Sequence, residues 1–484
     1  MAETQDRPSW VSRALRRIYE ELGFAAVASA PRDIGFLIAS RFVRMFAYGS
    51  STLILALYFS ALGHSDTKIG LFMTLTLLGD VVISLVLTLF ADALGRRKML
   101  MLGGLMMAGS GLVFAETGNY WLLLTAAVLG VISPGGNEIG PFRAIEEATL
   151  SQLIPSESRT DVFVWYIIAG TTATACGSLA CGWFVQYLTS RPDWDAIGAY
   201  RVVFLFYTCF GLVKLCLALC LSDRCEVVRR AEAAASGTNE DETEPLLDDT
   251  RDSDEIVRDE QQPKTKDRKH PLSHMTKHTW LILLKLLPLL AVDSFASGLV
   301  PFSLITYFID RKFHPPQGLL GTIMSVTWFF SAFSNIFASL IAKRIGLVKT
   351  MVFTHLPSAV FLLLIPVPSQ LGGAIVFLIL RSALASMDQA PRSAFMATVV
   401  LPEERTSVVG IANVVKTLSQ SAGPLVTGFL AGGGRFWIAF AVAGSLKASY
   451  DLGLLAMFVN VRTNRGEEND ETTANSVANG SRAA

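Results

Sequence analysis

Charged side chains stand in this chain where a run of apolar residues should hold none. Arg41, Arg44, Glu138, Arg143, Asp293, Arg381, Asp388 and Arg392 each interrupt a long hydrophobic stretch. A charge at the centre of a membrane helix costs about 2.5–3.5 kcal/mol on insertion scales, so each needs a partner or a task. Buried carboxylates and guanidinium groups bind a polar solute, carry a proton, or pair with one another to fix helix packing. Asp388 and Arg392 are four apart and share a helix face unless Pro391 bends it. Glu138 follows Ser133-Pro134-Gly135-Gly136, a kink signal that frees backbone groups beside an acid. Where their segments line a cavity, Arg44, Glu138, Arg143, Asp293, Asp388 and Arg392 become the candidate solute- or ion-binding residues. For Glu138, Asp293 and Asp388 a site and a structural ion pair remain open alternatives. For Arg41 and Arg381 the structural pair is the better reading. Lys447 and Asp451, also four apart, are expected to satisfy each other locally.

Other chemistries find little support. No G-x-x-x-x-G-K-[ST] loop is present, so the chain is not expected to hydrolyse nucleotide itself. No paired histidines or Ser–His–Asp set is evident at inward positions, so it is not expected to be an enzyme. His270, His274 and His278 recur every four residues, but in a polar segment, and they are read as solvated rather than as a metal site. The six cysteines, Cys176 to Cys225, fall in or beside two adjacent apolar segments and read as small packing residues rather than a disulfide framework. No cofactor is expected. A formal net charge of zero gives nothing for nucleic acid to bind.

The elements that must hold these charges are membrane helices. The chain of 484 residues is 51% hydrophobic and 17% charged, unusual for a soluble protein of this size. Twelve stretches are long enough to cross a bilayer as helices and too continuously apolar for barrel strands. They cover 34–62, 67–90, 99–115, 120–153, 160–188 and 196–221, then 277–309, 317–342, 349–367, 372–400, 406–431 and 436–461. Residues 1–33 form an N-terminal arm without a signal peptide. Residues 222–276 are a polar linker and 462–484 a polar tail, both expected to be disordered. Arg96, Arg97 and Lys98 make a basic loop, and 341–351 repeats its basic character, with Gly346 opposite Gly95. Such loops stay in the cytoplasm, and an even helix count puts both termini there.

The two halves repeat. Phe46, Ala47, Gly49, Tyr58 and Phe59 match Phe295, Ala296, Gly298, Tyr307 and Phe308 at one constant spacing. Glu138-Ile139-Gly140-Pro141 in the fourth segment matches Asp388-Gln389-Ala390-Pro391 in the tenth. Arg44 and Asp293 thereby occupy equivalent positions with opposite sign, and are expected to pair across the molecular axis or to be bridged by substrate.

The pattern Asp92-x-x-Gly95-Arg96-Arg97 resembles the loop between helices two and three of the major facilitator superfamily, with Asp92 as the loop acid. Thr88 stands where the family has a leading glycine, and Ala93 where a basic residue usually follows the acid. Gly423-Pro424-x-x-Thr427-Gly428 is similar to a glycine-proline signature of family members. The chain looks most like uncharacterised fungal branches. The fifth helix lacks the proline, and the fourth the arginine, of proton-driven drug exporters, which weakens that reading. The resemblance implies an all-α membrane fold of two six-helix repeats, with helices one, four, seven and ten lining a central cavity. It also brings helices two and eleven together, so Asp80 and Lys416 are expected to form a structural pair between the halves. Glu146, Glu147, Arg159 and Arg405 are expected near cytoplasmic helix ends, as gate contacts or as plain solvated helix ends.

The function expected is secondary transport of a small solute by alternating access, driven by a proton or substrate gradient. The alternative is a non-transporting membrane sensor built on a transporter fold. Glu242-Thr243-Glu244-Pro245-Leu246-Leu247 resembles an acidic dileucine sorting signal, with Glu242, Leu246 and Leu247 as the residues an adaptor would read. The expected partners are therefore a small-molecule substrate, protons, the lipid bilayer and sorting adaptors, and the expected location is the plasma or vacuolar membrane.

Overall fold

In a computed structural model of the chain, residues 30–130, 132, 141–155, 158–226, 276–400 and 404–458 are described. The first half holds α1 (Arg32–Ala61), α2 (Asp66–Leu94), α3 (Arg96–Glu116), α4a (Tyr120–Gly130), α4b (Pro141–Leu153), α5 (Arg159–Thr189) and α6 (Ala196–Leu219). The second holds α7a (Lys277–Leu299), α7b (Phe302–Phe313), α8 (Gln317–Ile345), α9 (Leu347–Leu364), α10a (Leu371–Ser386), α10b (Gln389–Val399), α11 (Arg405–Gly432) and α12 (Phe436–Phe458). These are twelve membrane spans in two six-helix repeats. Over their described residues nine are long and apolar enough by themselves, and the fourth, eighth and eleventh complete the twelve.

Two expected continuous helices are broken. The seventh span is interrupted at Val300-Pro301, where proline cannot donate to the helix ladder. The tenth is interrupted at Met387-Asp388, just ahead of Pro391. The two repeated loops are tight turns. Gly95 has φ 93° and Gly346 φ 89°, a region that disfavours any side chain.

The repeat governs packing. α1 packs on α5 and α6, as α7a packs on α11 and α12, and α3 packs on α6 as α9 does on α12. Large apolar side chains on the outside, such as Leu284, Phe429 and Trp121, stay exposed, as helices surrounded by lipid require.

The linker begins later than expected. Asp33, at the start of α1, accepts hydrogen bonds from Ser222 N at 2.8 Å and Ser222 Oγ at 2.6 Å. Residues 223–225 form a 3-10 turn, and Glu226 accepts from the backbone N–H groups of Arg96 (2.8 Å) and Arg97 (3.2 Å). The carboxylate thereby caps the N-terminus of α3, where its charge also meets the positive end of the helix dipole. At the other end of the linker, Thr276 N donates to Glu404 Oε1 at 2.6 Å, beside the start of α11. The ends of the linker thus lie on one face of the molecule, the linker face.

The halves meet on the face away from the linker. A methyl group built on Gly182 would stand 2.5 Å from Gln317 O, and one on Gly70 2.3 Å from Pro424 O. These two glycine seams, α5 on α8 and α2 on α11, are related by the repeat. Trp183 Nε1 donates to Thr322 Oγ1 (3.1 Å), and Leu425 N to Thr74 Oγ1 (3.0 Å). Tyr307 OH donates to Asp66 Oδ1 at 2.7 Å, and Arg311 pairs with the same carboxylate. These hydrogen bonds and this ion pair between the halves all lie on this side. A cavity of about 530 Å³ there is lined by His64, Asp66, Tyr307, Asp310, Arg311 and His314, among others.

Candidate functional site

Each half buries its own ionic centre. In the first, α1 presents Arg41 and Arg44, three apart and so on one helix face. Arg44 bonds Glu146 of α4b at 2.7 Å, and Tyr166 OH of α5 donates to the same oxygen at 2.7 Å. Lys214 Nζ of α6 lies 3.8 Å from the other oxygen of Glu146. Arg41 stacks over the Tyr166 ring at 4.3 Å and donates to its hydroxyl at 3.2 Å. Glu146 and Lys214 are buried. Breaking a buried ionic network by removing one member costs about 3–5 kcal/mol.

The second centre lies around Asp293 of α7a. Its Oδ1 accepts from Lys447 Nζ of α12 at 2.8 Å, and its Oδ2 from Arg392 of α10b at 3.0 Å. Lys447 also donates to Ser297 Oγ at 2.8 Å. Arg392 pairs with Asp388 one turn before it, so Pro391 does not part them, and lies over the Tyr450 ring at 5.3 Å. His355 of α9 places Nδ1 3.0 Å from both carboxylate oxygens of Asp451 and Nε2 3.9 Å from Asp293 Oδ1. Asp388 Oδ1 and Tyr450 OH are buried without a hydrogen-bond partner among the described residues, so this centre retains polar capacity. Arg392, with a side chain 19% exposed, is its most open charged member.

Several expected pairings are corrected. Arg44 and Asp293 do not meet, because each is held within its own half by Glu146 and by Arg392 with Lys447. Lys447 turns to Asp293 rather than to Asp451, which is taken by His355. Asp80 and Lys416 form no ion pair with each other. The contact of α2 with α11 through Thr74 and Leu425 lies nearer the opposite face, and the charges facing Lys416 are Arg392, Asp293 and Asp388. Glu146 is not a gate contact at a helix end but the buried hub of the first centre. Glu147 pairs with Arg143 at 2.7 Å, and Arg159 donates to the carbonyls of Ser151 and Ile154.

The basic loop holds the start of the linker. Arg96 donates to Gln152 Oε1 at 2.8 Å, while Arg97 pairs with Asp223 at 3.2 Å and donates to Leu219 O at 2.7 Å. Glu138, the side chains of Asp92 and Arg405, and the Glu242, Leu246 and Leu247 motif lie outside the described residues.

Sequence reasoning missed Lys214, Tyr166, His355 and Tyr450. One signal was available. Gly211-x-x-Lys214 and Gly444-x-x-Lys447 are the same motif in the sixth and twelfth spans, and each lysine reaches a carboxylate.

The family model of the Major Facilitator Superfamily matches residues 37–309 and 286–479. A Saccharomyces cerevisiae protein described as an uncharacterized membrane protein is 37% identical over 444 residues, covering 90% of this chain and 96% of its own length. Among solved structures, a D-xylose-proton symporter matches with a TM-score of 0.64 at 13% identity, over 87% of this chain and 96% of its own. A bacterial homologue of the iron transporter ferroportin in an inward-facing state matches with a TM-score of 0.63 at 11% identity, over 88% and 98%. Likeness at these identities concerns the fold.

Proposed function

Because the chain belongs to the major facilitator superfamily, we propose that it is a secondary active transporter moving a small polar solute by alternating access. The observation that carries this reading is the one-sided joint between its halves. The glycine seams and the Asp66–Tyr307–Arg311 contact close the face away from the linker, while the ion pairs of each buried centre join residues of one half. Two bodies so built can rock about a central site. With the linker and basic loops in the cytoplasm, as positive charge favours, this conformation is inward-facing.

The solute is held between the two centres. Asp293, Asp388 and Arg392 supply its contacts in the second half, with Asp388 Oδ1 and Tyr450 OH as the groups still able to bond it. Arg44 and Glu146 supply the facing charges in the first half. The drive is a proton or solute gradient. The protein works in the plasma or vacuolar membrane, with the dileucine motif for sorting adaptors on the cytoplasmic linker.

A panel of radiolabelled solutes offered to liposomes containing the purified full-length protein tests this reading. Saturable uptake that Arg392→Ala abolishes is expected. Solute binding without flux would identify a sensor and overturn transport.

A further inference from the structure

The His355–Asp451 pair is not required to build this fold. Lys98 and Lys349, and Ala108 and Ala359, match at one constant spacing between the third and ninth spans. On that spacing Gly104 is the counterpart of His355. Gly211 and Gly444, with Lys214 and Lys447, set the spacing between the sixth and twelfth spans, and there Ala218 is the counterpart of Asp451. The first half therefore keeps the lysine–carboxylate contact but has only small residues where the second has an imidazole and an acid. A methyl on Gly104 would stand 2.8 Å from Leu215 N, so these helices close without any polar group there. A buried polar pair that packing does not need carries a desolvation cost that calls for another role.

The geometry names that role. His355 is 3% exposed, and its ring stands between two carboxylates on different helices, Asp451 at 3.0 Å and Asp293 at 3.9 Å. Lys447 and Tyr450 of α12, Arg392 of α10b and Arg381 of α10a also face it. We propose that His355 and Asp451 form a one-proton site that couples proton movement to solute binding at Asp293, an inference that rests on the transport reading above. The pair takes one proton from water and returns one to water, with no other bond made or broken. In the protonated pair both ring nitrogens are donors, and the imidazolium competes with Lys447 and Arg392 for Asp293. Arg392, the most open of the three, then keeps only Asp388 as a carboxylate partner and can turn its other guanidinium nitrogen to an anionic group. Burying the proton's charge together with an anion keeps the centre's net charge unchanged, so the solute class is a small anion carried with a proton.

Proton uptake by full-length protein in detergent tests the site without any solute. A pH-indicator dye would follow weakly buffered samples between about pH 9.5 and about pH 5. Wild type should take up one more proton per chain than His355→Gln, and Asp451→Asn should shift the midpoint of that step. Superimposable curves for all three overturn the proposal. If a variant misfolds on gel filtration, ¹⁵N NMR of the wild-type histidine rings decides. A buried ring changing protonation in this range supports the site, and none doing so overturns it. In liposomes, with a solute that wild type moves, His355→Gln should lose accumulation driven by a pH gradient, while solute exchange persists with a raised KM. Loss of neither, or of both at saturating solute in a folded variant, overturns the coupling role. Absence of flux in wild type would instead sink the transporter reading.

Discussion

Gly182→Ala should open the face away from the linker. The new methyl would stand 2.5 Å from Gln317 O, 2.7 Å from Gly321 Cα and 3.0 Å from Gly321 N. Carbon contacts are comfortable at about 3.5–4.0 Å, so α5 and α8 must part by roughly 1 Å. All three atoms are backbone, so no rotamer change relieves the clash. Overpacking of this kind costs about 1–3 kcal/mol. It falls only on the state in which the two helices touch, and so moves the ratio of states roughly 5- to 150-fold. Gly70→Ala, whose methyl would lie 2.3 Å from Pro424 O, should act in the same direction at the repeat-related seam. Gly109→Ala is the control, since nothing lies within 4 Å of its position. Thr74, 7% exposed at the seam, provides the readout as a cysteine in a background with the six native cysteines replaced by serine. Its alkylation by an impermeant maleimide should accelerate at least about fivefold in either seam variant. Rates equal to those of the Gly109→Ala control, in folded protein, would refute the seam as a working contact.

Glu146→Gln removes the carboxylate that Arg44 and Lys214 share and should lower stability by about 3–5 kcal/mol, read as lost folded yield on gel filtration. Adding Arg44→Gln should recover part of that loss, and no recovery would show that the two residues do not act as a pair. Asp66→Asn removes the charge that Arg311 pairs with and leaves one acceptor oxygen for Tyr307 and Arg311, and should quicken alkylation at the Thr74→Cys reporter, whereas an unchanged rate counts against a gate there. His64 lies in the turn between α1 and α2, where burial and the neighbouring Lys68 charge hold its imidazole below the usual histidine range. The folded state then favours the neutral ring. Its contribution is full above the unfolded value of about 6.5 and is lost as pH falls through the lower folded value. On acidification from neutral pH, Tm should fall further in wild type than in His64→Gln, and parallel slopes would refute the assignment.

The bilayer made the fold legible, because it demands long apolar helices and the duplication repeats their punctuation. Gly95 and Gly346 were matched by sequence alone, and both have positive φ. The breaks at Val300-Pro301 and Met387-Asp388 were less visible, since hydrophobicity runs straight through them. Local spacing put Asp388 and Arg392 on one helix face unless Pro391 bent it, and they do meet there. Spacing misled for Lys447 and Asp451, because two nearer partners, Asp293 and His355, come from other helices. Glu146 was judged by its nearness to the end of a long fourth helix, which says nothing of what surrounds it. Repeat equivalence misled for Arg44 and Asp293, since equivalent positions in two halves need not face each other as partners.

That last error exposes how the charges are distributed. Arg44 on α1 and Asp293 on α7a have opposite signs, and their partners are reversed as well: Glu146 on α4b and Arg392 on α10b. Phe142 is the counterpart of Arg392, and Lys214 lies 5.0 Å over its ring. Each half thus completes its own pair with its own polarity. Had Arg44 paired with Asp293 across the interface, every separation of the halves would leave two buried charges without partners, at about 3–5 kcal/mol for breaking the pair. A barrier of that size would oppose rocking on each cycle. Internal pairing removes it, and an ion pair that does bridge the halves among the described residues, Asp66 with Arg311, sits at the rim, where the Arg311 side chain is 47% exposed. An exposed pair is worth only about 0–1 kcal/mol, so it can break and re-form as the halves move. The strongest ionic contacts therefore hold each body rigid, and the weak one is left to the joint.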